Sequence, residues 1–283
     1  MARPGSGSAR LAGADAYEKR ARHVEVFNRG SLPLSFTIIA DQPWLVLSRT
    51  EGSVAVQERI SVDVRWADVP RDAREATLAI SGSDGSRAKV RVPIRQREVA
   101  VDTAVAGQGG RFVETGGAVS VEAAHFTRQV APPGRSWLLV PDHGRTLSAM
   151  TALPIHATGG LAGPQAMRLE YDIALAKPGR FTLHTTLAPT QKFQPGGGLK
   201  FAVSIDNEAP QIVNMHADAS LAAWERSVSD GAVTFRTTHA VRGAGVHTVK
   251  FWAISPGVVL QKLVLDAGGL KPSYLGPPES PRL

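Results

Sequence analysis

Histidines and carboxylates are the residues of this chain best suited by type to do chemistry. Seven of the eight histidines, His125, His143, His156, His184, His216, His239 and His247, follow Glu122 in sequence. Zinc hydrolases bring two histidines onto one helical face through an H-E-x-x-H spacing, and no such spacing occurs here. The seven fall in different apolar runs, which reads as satisfied or exposed histidines rather than a metal centre. The carboxylates Glu122, Glu170, Asp172, Asp206, Glu208, Asp218, Glu225, Asp230 and Asp266 could supply the two acids of a glycosidase, which must face each other across roughly 5–10 Å. Only the fold can set that separation. No G-x-S-x-G elbow and no G-x-x-x-x-G-K-[ST] loop occurs, so neither a strained nucleophilic serine nor a phosphate cradle is indicated.

The elements that must position these groups are short strands. Val24 and Val26, Phe36 and Ile38, and Ile60, Val62 and Val64 alternate with polar neighbours, the period of a strand with one buried face. Asn28-Arg29-Gly30, Glu51-Gly52-Ser53 and Ser83-Asp84-Gly85 supply turn residues, and Ala76 to Ser81 and Lys89 to Ile94 add two strands. This pattern predicts an all-β protein whose residues 17–98 form an immunoglobulin-like β-sandwich, with Trp44 and Trp66 in its core. Arg91, Arg95 and Arg97 alternate and are expected on one outer face, guarding a strand edge with charge. Residues 1–16 are expected as a disordered tail, and the small, glycine-rich residues 99–117 as a linker that proteases cut first.

From residue 118 to 283 nine or ten further strands follow, with glycine and proline between them and no long helical period, which predicts a jelly roll. Ala219 to Ser229 is the one expected helix, and it carries Trp224. Val246 to Ile254 and Val258 to Asp266 close the domain around Ser255-Pro256-Gly257, a reversal that either pairs the two strands or sends the second to a facing sheet. Lys271 to Ser280 is proline-rich and expected to dock as an ordered segment through Tyr274 and Leu275, with solvated chain from Pro281.

Composition excludes several functions. The 283 residues contain no cysteine, so disulfides and thiolate metal sites are ruled out. The net charge of +7, from 24 arginines and 8 lysines against 25 acids, is spread singly along solvated strand faces without aromatic interleaving, unlike a nucleic-acid site. Met1 to Ala16 lacks the apolar core of a secretory signal, and no run approaches the roughly 18 apolar residues of a membrane-spanning helix. The location is extracellular or periplasmic if the chain is part of a longer secreted glycosidase.

Long motifs in order add a resemblance. VEAAHFTR (Val121 to Arg128), RLEYDIAL (Arg168 to Leu175), FAVSIDNEAPQIVNMHAD (Phe201 to Asp218), AAWERSVSD (Ala222 to Asp230) and HTVKFWAISPGVVLQKLVLDAGGLKPSYLGPPES (His247 to Ser280) together resemble the C-terminal domain of glycoside hydrolase family 115. NRG and PWLVLS upstream resemble the β-sandwich that precedes that domain. The family's members are xylan α-1,2-glucuronidases, which remove glucuronic or 4-O-methylglucuronic acid from xylan, and their catalytic residues lie in an upstream α/β barrel that this chain does not contain. The resemblance therefore implies no catalytic residue here. It implies an accessory, non-catalytic C-terminal region serving hemicellulose debranching, in assembly and in glucuronoxylan contact, partnered by the catalytic barrel or a second copy of the chain. The alternatives are an independent carbohydrate-binding module tethering to glucuronoxylan or another plant polysaccharide, and an enzyme using a carboxylate pair in the jelly roll.

The second domain is also similar to jelly-roll carbohydrate-binding modules whose first strand reads [IV]-E-A-E and whose two glutamates hold a structural calcium. Glu122 matches the first glutamate, Ala124 stands at the second, and Asp266 is the remaining partner for Glu122; no cofactor is expected, with calcium at this pair as the exception. Stacking on sugar requires an exposed aromatic face with polar groups around it. Trp137, Tyr171, Trp224, Trp252 and Tyr274 are available, and Trp224 and Tyr274, outside the strands, are the expected contacts. Arg226 and Arg128 are the arginines expected to pair with a glucuronate carboxylate.

Overall fold

The computed structural model describes residues 6–15, 22–95, 110–156, 166–193 and 195–283. The chain divides into two compact units, residues 1–98 and 99–283.

The first unit is a β-sandwich. Its larger sheet is built from β1 (Ser6–Arg10), β2 (Ala14–Asp15), β4 (Leu34–Ala40), β6 (Glu51–Val54), β8 (Glu75–Gly82) and β9 (Arg87–Arg95), and its smaller one from β3 (His23–Phe27), β5 (Leu45–Leu47) and β7 (Gln57–Val64). The orders are β1-β9-β8-β4-β6, with β2 also on β9, and β3-β7-β5. One apolar cluster draws on both sheets: Val24, Val26, Ile60 and Val62 from one, Phe36, Ile38, Leu78, Val90 and Val92 from the other, with Trp44 beside them. Trp66 packs on its margin.

Three expectations are corrected here. Residues 6–15 are not a tail: β1 runs parallel to β9 from Ser6↔Arg87 to Arg10↔Arg91, and Ala14 is fully buried. A small, polar stretch can still add a strand, because backbone pairing makes little demand on side chains. In consequence β9 is an interior strand, and Arg91 and Arg95 are exposed on its face rather than guarding an edge; Arg97 lies outside the described residues. Glu51 to Ser53 is strand, not turn, and Gly52 lies opposite Phe36, where a Cβ would sit 3.1 Å from the ring, tighter than ordinary contact.

The second unit is a larger sandwich. One sheet has the order β10-β15-β20-β17-β18, with β12 also on β15; these are Phe112–Val113, Arg168–Leu175, Gly245–Ala253, Lys200–Ile205, Gln211–Asn214 and Arg128–Val130 respectively. The other has the order β13-β14-β21-β16-β19, with β11 also on β21; these are Ser136–Val140, Ala149–Leu153, Val259–Asp266, Gly179–Leu187, Val233–Val241 and Ala118–Glu122. Leu169, Tyr171, Ile173, Phe201, Val203 and Phe251 from the first sheet pack against Val121, Phe181, Leu183, Leu260, Leu263 and Leu265 from the second. Phe251 stacks on Phe201 at 5.6 Å and meets Trp137 at 6.4 Å. Tyr171 satisfies its buried hydroxyl by donating to the Ala123 carbonyl at 2.8 Å.

The reversal at Ser255-Pro256-Gly257 sends the chain to the facing sheet, since β20 and β21 belong to different sheets. Gly257 has φ +80°, a conformation that glycine adopts at little cost. The one α-helix among the described residues, α1 (Leu221–Asp230), is capped by Ser220 Oγ accepting from Ala223 N at 3.2 Å and ends at Gly231 with φ +61°, the left-handed stop glycine favours.

The expected linker is part of this unit where it is described. Phe112 and Val113 are fully buried, and β10 pairs in parallel with β15; residues 96–109 lie outside the described residues. The C-terminus is held as well. Arg111 and Leu283 exchange backbone hydrogen bonds of 2.9 and 3.0 Å, Val113 N donates to the Pro281 carbonyl, and Ser280 and Ser120 bond each other through backbone and hydroxyl. Glu279 receives Glu122 N and His125 Nδ1. Docking therefore continues through Leu283, whereas Tyr274 and Leu275 remain 61% and 53% exposed.

Candidate functional site

The second unit carries a cleft of about 400 Å3 on the outer face of the β21–β16–β19 surface, walled by residues 270–277. A β-bulge shapes its floor. Thr186 pairs with Lys262 and Leu187 with Leu260, so Gln261 is an extra residue in β21. At the same point β21 exchanges neighbours, pairing with β14 through Val259 and Leu260 and with β11 from Lys262 onward. A bulge lets two successive side chains escape strict alternation, and both Gln261 and Lys262 line the cleft.

Gln261 is 4% exposed. Its Nε2 donates to the Gly231 carbonyl at 3.0 Å and the His143 carbonyl at 3.3 Å, while its Oε1 has no hydrogen-bond partner among the described residues. Beside it the sheet registers set two polar rows. His184 lies between Arg236 and Val264, and Thr186 lies between Thr234 and Lys262, with the two threonine hydroxyls 3.1 Å apart. Burial lowers the proton affinity of His184, the Arg236 charge lowers it further and Asp266 only partly opposes them, so its pKa lies below 6.5 and the ring is neutral at neutral pH.

The wall is fixed at both ends. Asp266 Oδ1 accepts from Gly268, Gly269 and Leu270 N at 2.8–3.2 Å. Arg145 donates to the Tyr274 carbonyl at 2.9 Å and the Asp230 carbonyl at 3.0 Å, and its guanidinium sits 4.3 Å from the Tyr274 ring centre. The Tyr274 hydroxyl donates to the Asp230 carbonyl at 3.1 Å, tying wall to helix.

Beneath the cleft, Lys262 Nζ lies 3.1 Å from Glu122 Oε1, with both side chains over nine-tenths buried. The pair is misaligned for a hydrogen bond from Nζ, and Glu122 instead accepts from the Thr146 hydroxyl at 2.6 Å. This geometry does not fit the calcium site. Glu122 pairs across the ladder with Lys262 and Asp266 with Ala118, so the two carboxylates stand at opposite ends of β11. The lysine ammonium supplies the positive charge, and no cluster of three or more potential ligands that could hold a metal ion occurs among the described residues.

The Glycosyl hydrolase family 115 C-terminal domain model matches residues 111–279, which is most of the chain and nearly all of the second unit. The chain belongs to this family. A comparison with curated proteins returned no match. Among solved structures, a family GH115 4-O-methyl-alpha-glucuronidase with specificity for decorated arabinogalactans is 17% identical, at TM-score 0.41, over 52% of this chain and 17% of that one. The chain thus corresponds to 17% of that enzyme's length. A family 35 carbohydrate binding module from Clostridium thermocellum is 12% identical at TM-score 0.35, over 52% of this chain and 96% of its own. The C-terminal family 6 module of a Zobellia galactanivorans laminarinase is 10% identical at TM-score 0.34, over 53% and 98%.

Of the contacts expected from sequence, this family 115 domain places Tyr274 in the cleft wall; Asp266, expected as a calcium candidate, also lines the cleft, from β21. Trp224 is half-buried on α1 and Arg226 exposed on it, and neither lines the cleft. Arg128 is on the opposite sheet and already committed: it pairs with both Asp172 oxygens at 2.6 and 2.7 Å and with Glu170 at 2.8 Å, while Arg168 holds the other Glu170 oxygen at 2.6 Å. Its carboxylate partners are its own chain's. Asp206 is bound by His247 and Thr248 N, and Glu208 by His239 and Ile205 N, so these two carboxylates serve as structural acceptors. The residues missed from sequence are Gln261, Arg236, Arg145 and Lys271. The signal for the first was Gln261-Lys262, two successive polar residues inside an apolar strand, which breaks period two.

The Arg128 network makes a pH prediction. Burial would raise Glu170 and Asp172, but hydrogen bonds and charge from Arg168 and Arg128 at Glu170, and from Arg128 and Thr248 at Asp172, outweigh it and hold both below their ordinary 4.5 and 3.8. Depressed carboxylates stabilise above their unfolded values, so this contribution is complete above about pH 5 and lost as pH falls through the folded values below 4.5 and 3.8. Arg128→Gln should lower the melting temperature near pH 6 and converge with the parent only as pH falls through the depressed folded values of Glu170 and Asp172. A gap independent of pH would refute the electrostatic reading.

Proposed function

We propose that the chain is the accessory, non-catalytic C-terminal region of a xylan α-1,2-glucuronidase. It assembles with a catalytic domain and contacts glucuronoxylan through the strapped cleft during hemicellulose debranching. The observation that carries this reading is the family match over residues 111–279 in a domain whose cleft is lined by one carboxylate, Asp266, already used to accept three backbone N–H groups. Glycoside hydrolysis requires an acid and a second carboxylate across the bond, and this lining supplies hydrogen-bonding and cationic groups instead. Purified chain is expected to release no glucuronic acid from glucuronoxylan while being retained on the insoluble polymer. Release that disappears in Asp206→Asn/Glu208→Gln would replace this reading with hydrolysis inside the jelly roll.

A further inference from the structure

We propose that the strapped cleft binds an acidic saccharide, with Arg236 and Lys271 taking the anionic group and His184, Thr186 and Thr234 taking ring hydroxyls. This deepens the proposed glycan contact and rests on it. Four cations other than histidine line the cleft, Arg145, Arg236, Lys262 and Lys271, against the single carboxylate of Asp266. Two are committed: Lys262 to Glu122, and Arg145 to Asp230 and the Tyr274 ring. Arg236 and Lys271 are exposed and have no ion-pair partner among the described residues, so the charge left available to a ligand is positive. A guanidinium can meet a carboxylate or sulfate with two parallel hydrogen bonds.

The polar floor indicates a hydroxyl-rich ligand rather than a bare anion. Gln261 is buried and pinned by two carbonyls through Nε2, which fixes the floor beneath the ligand. Neutral His184 and the Thr186–Thr234 hydroxyl pair can each donate and accept, the versatility that sugar hydroxyls require. The Tyr274 ring, anchored by Arg145, forms one side, and about 400 Å3 is within the range of small-ligand sites.

Calorimetric titration of the full chain with three probes tests this: a xylo-oligosaccharide bearing one glucuronic acid, the same oligosaccharide undecorated, and one bearing a sulfate. At low salt either charged probe should bind at least about tenfold more tightly than the neutral one. Arg236→Gln should weaken that preference and Arg236→Gln/Lys271→Gln should remove it, with the melting temperature unchanged. Whichever charged probe binds better identifies the acid. Equal binding of all three, or a preference that survives Arg236→Gln/Lys271→Gln, overturns the acidic-ligand inference while leaving glycan contact standing. Failure of every probe overturns both. Lys271→Gln is the second variant: it removes a charge from the exposed wall, and should weaken charged probes more than the neutral one.

Discussion

Replacing Phe251 by alanine is expected to destabilise the second unit by about 3–5 kcal/mol. The ring is fully buried, lies on β20 between β15 and β17, stacks on Phe201 and touches Trp137. Removing it deletes transfer energy and leaves a cavity lined by neighbours from both sheets that regular ladders prevent from collapsing. Urea unfolding followed by tryptophan fluorescence should show the midpoint falling steeply. Phe251→Leu, which retains most of the volume, should cost less than half as much. A loss below about 1 kcal/mol for the alanine would place the ring outside a packed core.

Glu122→Ala should be similarly severe, about 3–5 kcal/mol. The change leaves the Lys262 ammonium buried beneath the cleft without its countercharge, and breaking one side of a buried pair costs far more than the pair contributes. The double change Glu122→Gln/Lys262→Met should recover most of the loss, because no charge is then stranded. Denaturation of the three proteins in parallel provides the comparison. Added calcium should leave the parent's melting temperature unmoved, since the ammonium holds the position beside Glu122. A calcium-dependent rise abolished by Glu122→Gln would contradict this assignment.

The alternation of Val24, Val26, Ile60 and Val62 was enough to place one face of the first sandwich, because a half-buried strand writes its period directly into the chain. The family motifs likewise indicated the second sandwich. Residues 6–15 were illegible for the opposite reason: their pairing with β9 uses backbone groups, which no side-chain pattern reports. The candidate site was harder still. Tyr274 was identifiable as an aromatic outside the strands, but Arg128 could not be distinguished from a ligand-binding arginine until Glu170 and Asp172 were seen beside it. Arg236 and His184 are ordinary strand residues until the β16–β19 register sets them side by side. Gln261 faces the cleft only because of a bulge, a feature that depends on the register of three strands at once.

The most direct test of the central claim, that this chain contacts glycan through the strapped cleft and does not itself cleave it, is a backbone and side-chain NMR titration of the 283-residue protein with a glucuronic-acid-bearing xylo-oligosaccharide. The expected result is a saturable set of shifts confined to the floor and wall, with the Gln261 side-chain amide, His184, Arg236 and residues 270–277 moving together and no new sugar reducing end appearing. Shifts centred on Trp224 and Arg226, no shifts at all, or the appearance of free glucuronic acid would contradict the account.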